Sequence, residues 1–187
     1  MFIRMVEQVK DGKQLKMVHE WVSIDNMSPH LPVAVIACED QNFMKHNGFD
    51  FEQIKAAYEE AKKGGRERGA STISQQTAKN VFLWPAHSWV RKGLETYFTV
   101  LIEVFWPKRR IIEVYLNTVE MGDGIYGAEA VAHEHFGVSA ANLSRQQCAL
   151  IAVSLPNPRK MNSGAPSRYM LRRQSWALRQ MKAFPPL

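Results

Sequence analysis

Apolar positions recur with helical spacing along most of the chain, and the polar residues between them mark where helices start and stop. Ser28-Pro29 opens a helix that carries Leu31 and the run Val33 to Ala37 up to Glu39, with Pro29 suited to its first turn. Asp50 is placed to cap a helix from Phe51 to about Lys63, and Gly64 to Gly69 reads as a flexible, charged connector. Thr72 followed three residues later by Gln75 is a capping-box pattern for a helix to about Phe82, which stops before Pro85. A long amphipathic helix is predicted over Ser88 to Phe105 and another over Lys108 to Leu116. Gly122-Asp123-Gly124 breaks the chain before a helix from Gly127 to Phe136. Ser144 caps an apolar helix from Arg145 to Leu155, ended by Pro156-Asn157-Pro158, and Pro166 to Phe184 is a basic helix. Residues 4–10 and 14–21 read as short helical or irregular pieces; no repeat, low-complexity segment or β-hairpin is evident. The expected fold is mainly α and a single domain.

At 187 residues the chain is long enough for one domain with a sizeable core. Hydrophobic residues make up 45% and charged residues 22%, an ordinary globular balance. A net charge of +6, from 24 Lys and Arg against 18 Asp and Glu, favours an anionic partner: nucleic acid, an anionic membrane or a phosphorylated substrate. The basic residues are scattered and carry no recognition motif, so no nucleic acid is expected. Cys38 and Cys148 both sit in apolar runs and read as buried free thiols, and no Cys/His cluster has zinc spacing. No apolar run approaches the roughly 18–20 residues that a membrane span needs. Glu7 and Lys10 interrupt any signal-type apolar core, so the chain by itself reads as soluble or peripheral.

Glu39 leaves an apolar helix, where partial desolvation raises a carboxyl pKa toward values useful for proton abstraction. Continued helical spacing would align Glu39, Phe43 and His46 on one face, with Asp40 beside them. Thr72, Gln76 and Lys79 form a polar stripe, and Ser71 and Thr72 lie at a helix start whose free N–H groups favour an anion. Arg91, Lys92 and Glu95 add two cations and a second carboxylate, with an Arg91–Glu95 surface pair as the plain reading. Trp84, Trp89, Tyr97, Phe98, Phe105 and Trp106 read mostly as core, with lipid contact as the alternative for some of them, and the basic tail with Arg168, Arg172, Arg173, Arg179 and Lys182 as a solvated face. Taken singly, each polar run is equally an ordinary capped or solvated helix; their order and spacing carry the argument.

Together the runs closely resemble the family 51 glycosyltransferases: the peptidoglycan polymerase domain of class A penicillin-binding proteins and its stand-alone monofunctional relatives. The resemblance lies in Glu39-Asp40-x-x-Phe43-x-x-His46-x-Gly48-x-Asp50, then Gly69 to Gln76 with Lys79-Asn80, then Arg91-Lys92-x-x-Glu95. Arg110-Ile111-Ile112-Glu113-x-Tyr115-Leu116-Asn117 with Gly122 and Gly127, and Ala149 through Pro158, resemble two further motifs, so the likeness runs from about residue 20 to 182.

The resemblance implies a lysozyme-like domain over residues 21–187, a membrane-facing subdomain around residues 50–70, and residues 1–20 as a juxtamembrane segment following an anchor helix absent from this chain. It implies polymerisation of lipid II into β-1,4-linked glycan with inversion and loss of undecaprenyl pyrophosphate, at the periplasmic face of a bacterial inner membrane. Partners would be lipid II, the growing strand, the membrane surface, moenomycin-type inhibitors and a cell-wall synthesis complex. Glu39 would be the general base and Glu95 the second carboxylate, organising cations or holding a divalent ion (Mg or Mn), with no cofactor obligatory. Lys79, Arg91 and Lys92 would neutralise pyrophosphate. Ser71, Thr72, Gln76 and Asn80 would line or support the donor site, Asp40, Phe43 and His46 would support Glu39, and Glu113 would be structural. His87 stands where many relatives have Arg, and Ala70 where Gly is common. Two other readings share parts of this pattern: a muramidase or lytic transglycosylase with Glu39 protonated as general acid, and a non-catalytic lipid-pyrophosphate-binding scaffold.

Overall fold

The structure, a computed structural model, describes residues 8–10, 12, 15–64, 69, 71–84 and 88–185. Most of the expected 64–69 connector, Ala70, Pro85 and His87, and the first residues of the N-terminal segment lie outside these described residues.

Helix α1 (His30–Glu39) buries every residue from Leu31 to Ala37. A helix that is apolar on all sides has to sit in the middle of its domain, and α1 does. It packs against α7 (Arg145–Ser154), which is buried from Cys148 to Ser154, and against the basic helix α8 (Arg168–Gln180). Fully burying a Leu, Val or Ile side chain contributes about 1.5–3 kcal/mol. The loss from placing a carboxylate at the negative end of a helix dipole is only about 0.3–1 kcal/mol. The apolar body of α1 therefore holds Glu39 in a position its charge alone would not choose.

On the other side of the site, α3 (Ile73–Phe82) packs against α4 (Trp89–Phe105) and α5 (Lys108–Thr118). The predicted caps form. Asp50 accepts from Gln53 N at the start of α2 (Phe51–Lys62), Thr72 and Gln75 close a capping box on α3, and Ser144 does the same with Gln147 on α7. Helix α6 (Ala128–Phe136) starts after Gly127 as expected, and α5 runs two residues past its predicted end. Both cysteines are free thiols, Cys148 buried and Cys38 partly so.

Two expectations fail. The chain has a small sheet of β1 (Val18–His19), β2 (Glu120–Gly122) and β3 (Ile125–Tyr126) in the order β1-β3-β2, with β2 and β3 antiparallel across Asp123-Gly124. Strands of two or three residues are too short to show an alternating pattern. Gly124 has φ +72°, and a Cβ there would meet the Lys16 carbonyl oxygen at 2.1 Å. The aromatic residues are also not mostly core: Trp89 is 92%, Phe105 74% and Tyr97 57% exposed, and only Phe98 and Trp106 are partly buried against the core. Helix α4 turns Glu95, Thr99 and Ile102 inward and leaves Val90, Tyr97, Val100 and Val104 as an apolar stripe outside. No residue of α2 is buried, and Phe51, Ile54 and Tyr58 form a second exposed stripe there.

Asn117, fully buried at the end of α5, ties the N-terminal segment to this frame. Its Oδ1 accepts from Val22 N and its Nδ2 donates to Val22 O, both at 2.9 Å, while its backbone carbonyl faces His19 Nε2. Glu113 is structural as expected, accepting from Ile24 N at 3.0 Å and pairing with Arg110. Asn117→Ala leaves two backbone groups of Val22 without partners and is expected to destabilise the fold by about 2–4 kcal/mol, read from denaturant midpoints.

Candidate active site

Glu39 is the last residue of α1, and the chain leaves helical geometry at Asp40, with φ −158° and ψ 80°. The expected alignment of Glu39, Phe43 and His46 along a continuing helix does not occur; residues 41–48 are turns. Asp40 explains the break. Its buried carboxylate accepts from the Ile73 backbone N–H at 3.0 Å, at the start of α3, and from His46 Nε2 at 2.9 Å. His46 Nδ1 in turn accepts from Gly48 N at 3.1 Å, which places the ring proton on Nε2, facing Asp40. Thr72 Oγ1 donates to Gly48 O at 2.6 Å. Gly48 has φ +92°, and a Cβ there would stand 2.8 Å from Thr99 Cγ2, so α4 closes directly over this turn. Asp40 thus ties the end of α1, the turn after it and the start of α3 into one piece.

That junction sets Glu39 beside the second turn of α3. Gln76 Nε2 donates to Glu39 Oε2 at 3.1 Å, and Tyr115 Oη on α5 donates to Gln76 Oε1 at 3.2 Å. The tyrosine hydroxyl, fully buried and held well above its usual pKa by burial and by Glu39 and Asp40, fixes the amide with its NH₂ toward Glu39. Burial raises the Glu39 carboxyl pKa above its usual range, with Asp40 adding to the shift. The Gln76 hydrogen bond, Arg173 and Lys79 oppose it. A cleft of about 140 Å³ opens at this carboxylate, lined among others by Cys38, Gln41, Asp50, Ser71 and Trp176. The Cys38 thiol is pushed up to about 12 by burial and by Glu39, which makes it a poor nucleophile.

Glu95 is in a different condition. Its side chain is almost fully buried, and its two oxygens accept separately from Arg91 Nη1, at 3.0 Å, and Lys92 Nζ. A buried carboxylate without partners costs several kcal/mol, so this triad is mutually required rather than the surface pair that i, i+4 spacing implied. It fixes two cations on the first turns of α4, against the unfavourable helix dipole there. Of the two roles expected for Glu95, organising cations or holding a divalent ion, its contacts are those of the first. Among the described residues no group of three or more His, Cys, Asp or Glu side chains converges elsewhere.

The structure therefore lines one cleft with Glu39, Asp40, Ser71 and Thr72, sets His46 against Asp40 and Gln76 against Glu39, and places Lys79 within electrostatic reach of Glu39. Arg91, Lys92 and Glu95 form their own cluster. Phe43, expected to support Glu39, is completely buried, with Lys108 4.7 Å over its ring, and Thr72, expected to line or support the donor site, borders the cleft with its hydroxyl committed to Gly48. Asn80 is exposed. Sequence reasoning missed Tyr115, Arg173 and Trp176. Tyr115 stood inside a motif but 39 residues from its partner Gln76, and the two α8 residues looked like part of a solvated basic face.

A family model described as Transglycosylase matches residues 6–182. A biosynthetic peptidoglycan transglycosylase of Bacteroides thetaiotaomicron is 60% identical over 190 residues, covering all of this chain and 77% of the relative. A protein of the same description from Pseudomonas fluorescens is 54% identical over 178 residues, covering 95% of this chain and 74% of its own. Another from Xanthomonas campestris pv. campestris is 51% identical over 164 residues, covering 88% and 67%.

Because the folded protein raises the Glu39 pKa, it holds more protons than the unfolded chain between the ordinary value of 4.5 and the folded value. Stability contributed at this site therefore falls as pH rises through that window. Glu39→Gln removes the penalty, and is expected to melt higher than wild type at pH 7 but not below pH ~4, measured by thermal unfolding across pH.

Proposed function

This chain belongs to the transglycosylase family, and we propose that it is a peptidoglycan glycosyltransferase whose general base is Glu39. The observation that carries the assignment is the environment of that carboxylate. Burial makes it a stronger base than an exposed glutamate, while an amide donor and two cations favour its ionised form. A proton abstractor needs that combination. A muramidase would need the same group protonated, and the amide of Gln76, locked by Tyr115 to donate, works against that state.

In the proposed reaction the 4-hydroxyl oxygen of an acceptor lipid II attacks the anomeric carbon of the lipid-linked strand. The hydroxyl proton passes to Glu39. The bond from the anomeric carbon to phosphate oxygen breaks with its electron pair, and undecaprenyl pyrophosphate leaves, so the new β-1,4 link forms with inversion. Pyrophosphate is already a stable anion and needs cations more than a proton. Lys79, Arg91 and Lys92 fit this role, with Glu95 holding the last two in place. Asp40 and His46 position the turn that follows the base, Gln76 donates to the base, and Ser71 lines the cleft beside it.

A cell-envelope location follows from peptidoglycan synthesis. We place the protein at the periplasmic face of the inner membrane, where its lipid substrate resides. No described helix is long and apolar enough to cross a membrane. The exposed stripes of α2 and α4, with Trp84 just after α3 and Trp89 at the start of α4, supply apolar and aromatic side chains that suit the interfacial zone of a bilayer. Binding to vesicles containing anionic phospholipid is expected to fall severalfold in a Val90→Ser/Tyr97→Ser/Val104→Ser variant that keeps its melting temperature, measured by flotation.

The central test is incubation of the protein with labelled lipid II and resolution of products by length. Wild type is expected to yield muramidase-sensitive polymer, and Glu39→Gln to lose at least about 100-fold in rate while still binding a moenomycin-type phosphoglycolipid. Lys79→Ala and Arg91→Ala are expected to weaken that inhibitor as well. Normal turnover by Glu39→Gln would remove it as the base.

A further inference from the structure

The cations of this chain run its whole length, but the acids stop at Glu134. Residues 135–187 hold eight Lys and Arg and no Asp or Glu, whereas residues 1–134 hold sixteen against all eighteen acids. The net charge of +6 therefore originates in this C-terminal stretch, and half of its cations share one face. Arg168, Arg172, Ser175 and Arg179 stand at i, i+4, i+7 and i+11 of α8, all exposed, and Lys182 extends the row into the short turn Met181–Ala183. Met170, Ala177 and Met181 bury the opposite side. From Arg168 to Arg179 the row is about 17 Å long. Among the described residues no carboxylate pairs with any of these four cations, whereas Lys16, Lys108, Arg109 and Arg110 each have one. The row also works against its own helix: Arg168 and Arg172 are a like-charged i, i+4 pair, and Arg168 lies at the positive end of the dipole. A charged row that costs the fold stability, with no internal anion to offset it, points to an anion outside the fold.

We propose that this row on the outer face of α8 is a docking surface for the glycan strand the enzyme makes, holding the carboxylates of its stem peptides outside the catalytic cleft. The inference rests on the transferase reading above and goes beyond it by giving the product a second contact. A cleft of about 140 Å³ has room only for the reacting sugars, so a lengthening strand has to run over the outer surface. Helix α8 joins the two places: Trp176 lines the cleft and stands about 100° round the helix from Ser175, in the middle of the row. The strand carries peptide carboxylates at each repeat and so offers a series of anions to a series of cations. Several exposed pairs, each weak alone, then act together on one chain. A bilayer surface fits this face less well. The large exposed apolar side chains lie on α2 and α4, and α4 packs on α3 and α5, whereas α8 packs on α1 and α7. The outer face of α8 adds only Tyr169 and Leu171 to them, both in its first turn.

The test is binding of labelled, lipid-free, uncross-linked glycan strands with intact stem peptides, measured by fluorescence anisotropy with the cleft saturated by a moenomycin-type inhibitor. Wild type is expected to bind. Arg168→Gln/Arg172→Gln/Arg179→Gln/Lys182→Gln is expected to bind about 10- to 100-fold more weakly at ~50 mM salt, with the gap closing toward ~1 M salt as the charges are screened. Arg168→Lys/Arg172→Lys/Arg179→Lys, which keeps the charge, is expected to stay within about threefold of wild type. Strands stripped of their stem peptides by an amidase are expected to bind wild type no better than intact strands bind the fourfold Gln variant. Failure of wild type to bind with the cleft filled overturns the proposal, as does equal binding of stripped and intact strands. A fourfold Gln variant that keeps its strand affinity overturns it too, and one that loses inhibitor affinity places the row in the cleft or the fold instead. Loss of binding to anionic phospholipid vesicles with strand binding kept assigns the row to the bilayer and likewise overturns it. None of these readings needs turnover, so absence of polymer from wild type with lipid II overturns the transferase reading separately.

Discussion

The whole site hangs on one buried carboxylate that does no chemistry itself. Asp40 accepts from the first backbone N–H of α3 and from His46, and through His46 and Gly48 it reaches the Thr72 cap. Burying a charge of this kind costs several kcal/mol unless such donors surround it, so Asp40 persists only with the junction assembled, and the junction persists only with Asp40. The neighbouring Glu39 then has no freedom. Its backbone is the last turn of a buried helix, and its side chain points where the junction has already placed Gln76. A one-residue slip in α3 would move Gln76 off that face by about 100° and leave the base without its donor.

The local parts of this arrangement were legible in the sequence. N-caps at Asp50, Thr72 and Ser144 are short-range chemistry, and each of those helices begins where its cap predicted. The end of α1 at Glu39 was also readable, because the apolar run stops there. The continuation was not. Helical spacing put Glu39, Phe43 and His46 on one face, but a backbone N–H from 33 residues downstream, that of Ile73, holds the Asp40 side chain where the helix ends. Tyr115 and Trp176 were invisible as site residues for the same reason: long-range packing brings them to Glu39, and neither leaves a mark on its own segment. The exposed aromatics failed in the opposite way. Large apolar residues normally go inside, and that expectation holds when water is the only solvent. The stripe of Val90, Tyr97, Val100 and Val104 opposite a buried Glu95 is what the lipid contact proposed above would account for.

The two glutamates of the proposed mechanism are the same residue type held in different surroundings. Glu95 is buried with two cations in contact, so its charge is spent in place and what it projects is the fixed position of Arg91 and Lys92. Glu39 is partly buried, with no cation in contact among the described residues and two at longer range, Lys79 from α3 and Arg173 from α8. A contact ion pair would have ended its usefulness as a base, because the proton would then compete with a bound cation. Complete isolation would have kept it protonated. The amide of Gln76 is the intermediate solution, a neutral donor that steadies the carboxylate without neutralising it. Tyr115 makes that solution directional, since a free amide could rotate its carbonyl toward Glu39 and repel the charge it is there to hold. The difference between a structural and a reactive glutamate in this fold is therefore the distance at which the cations are kept.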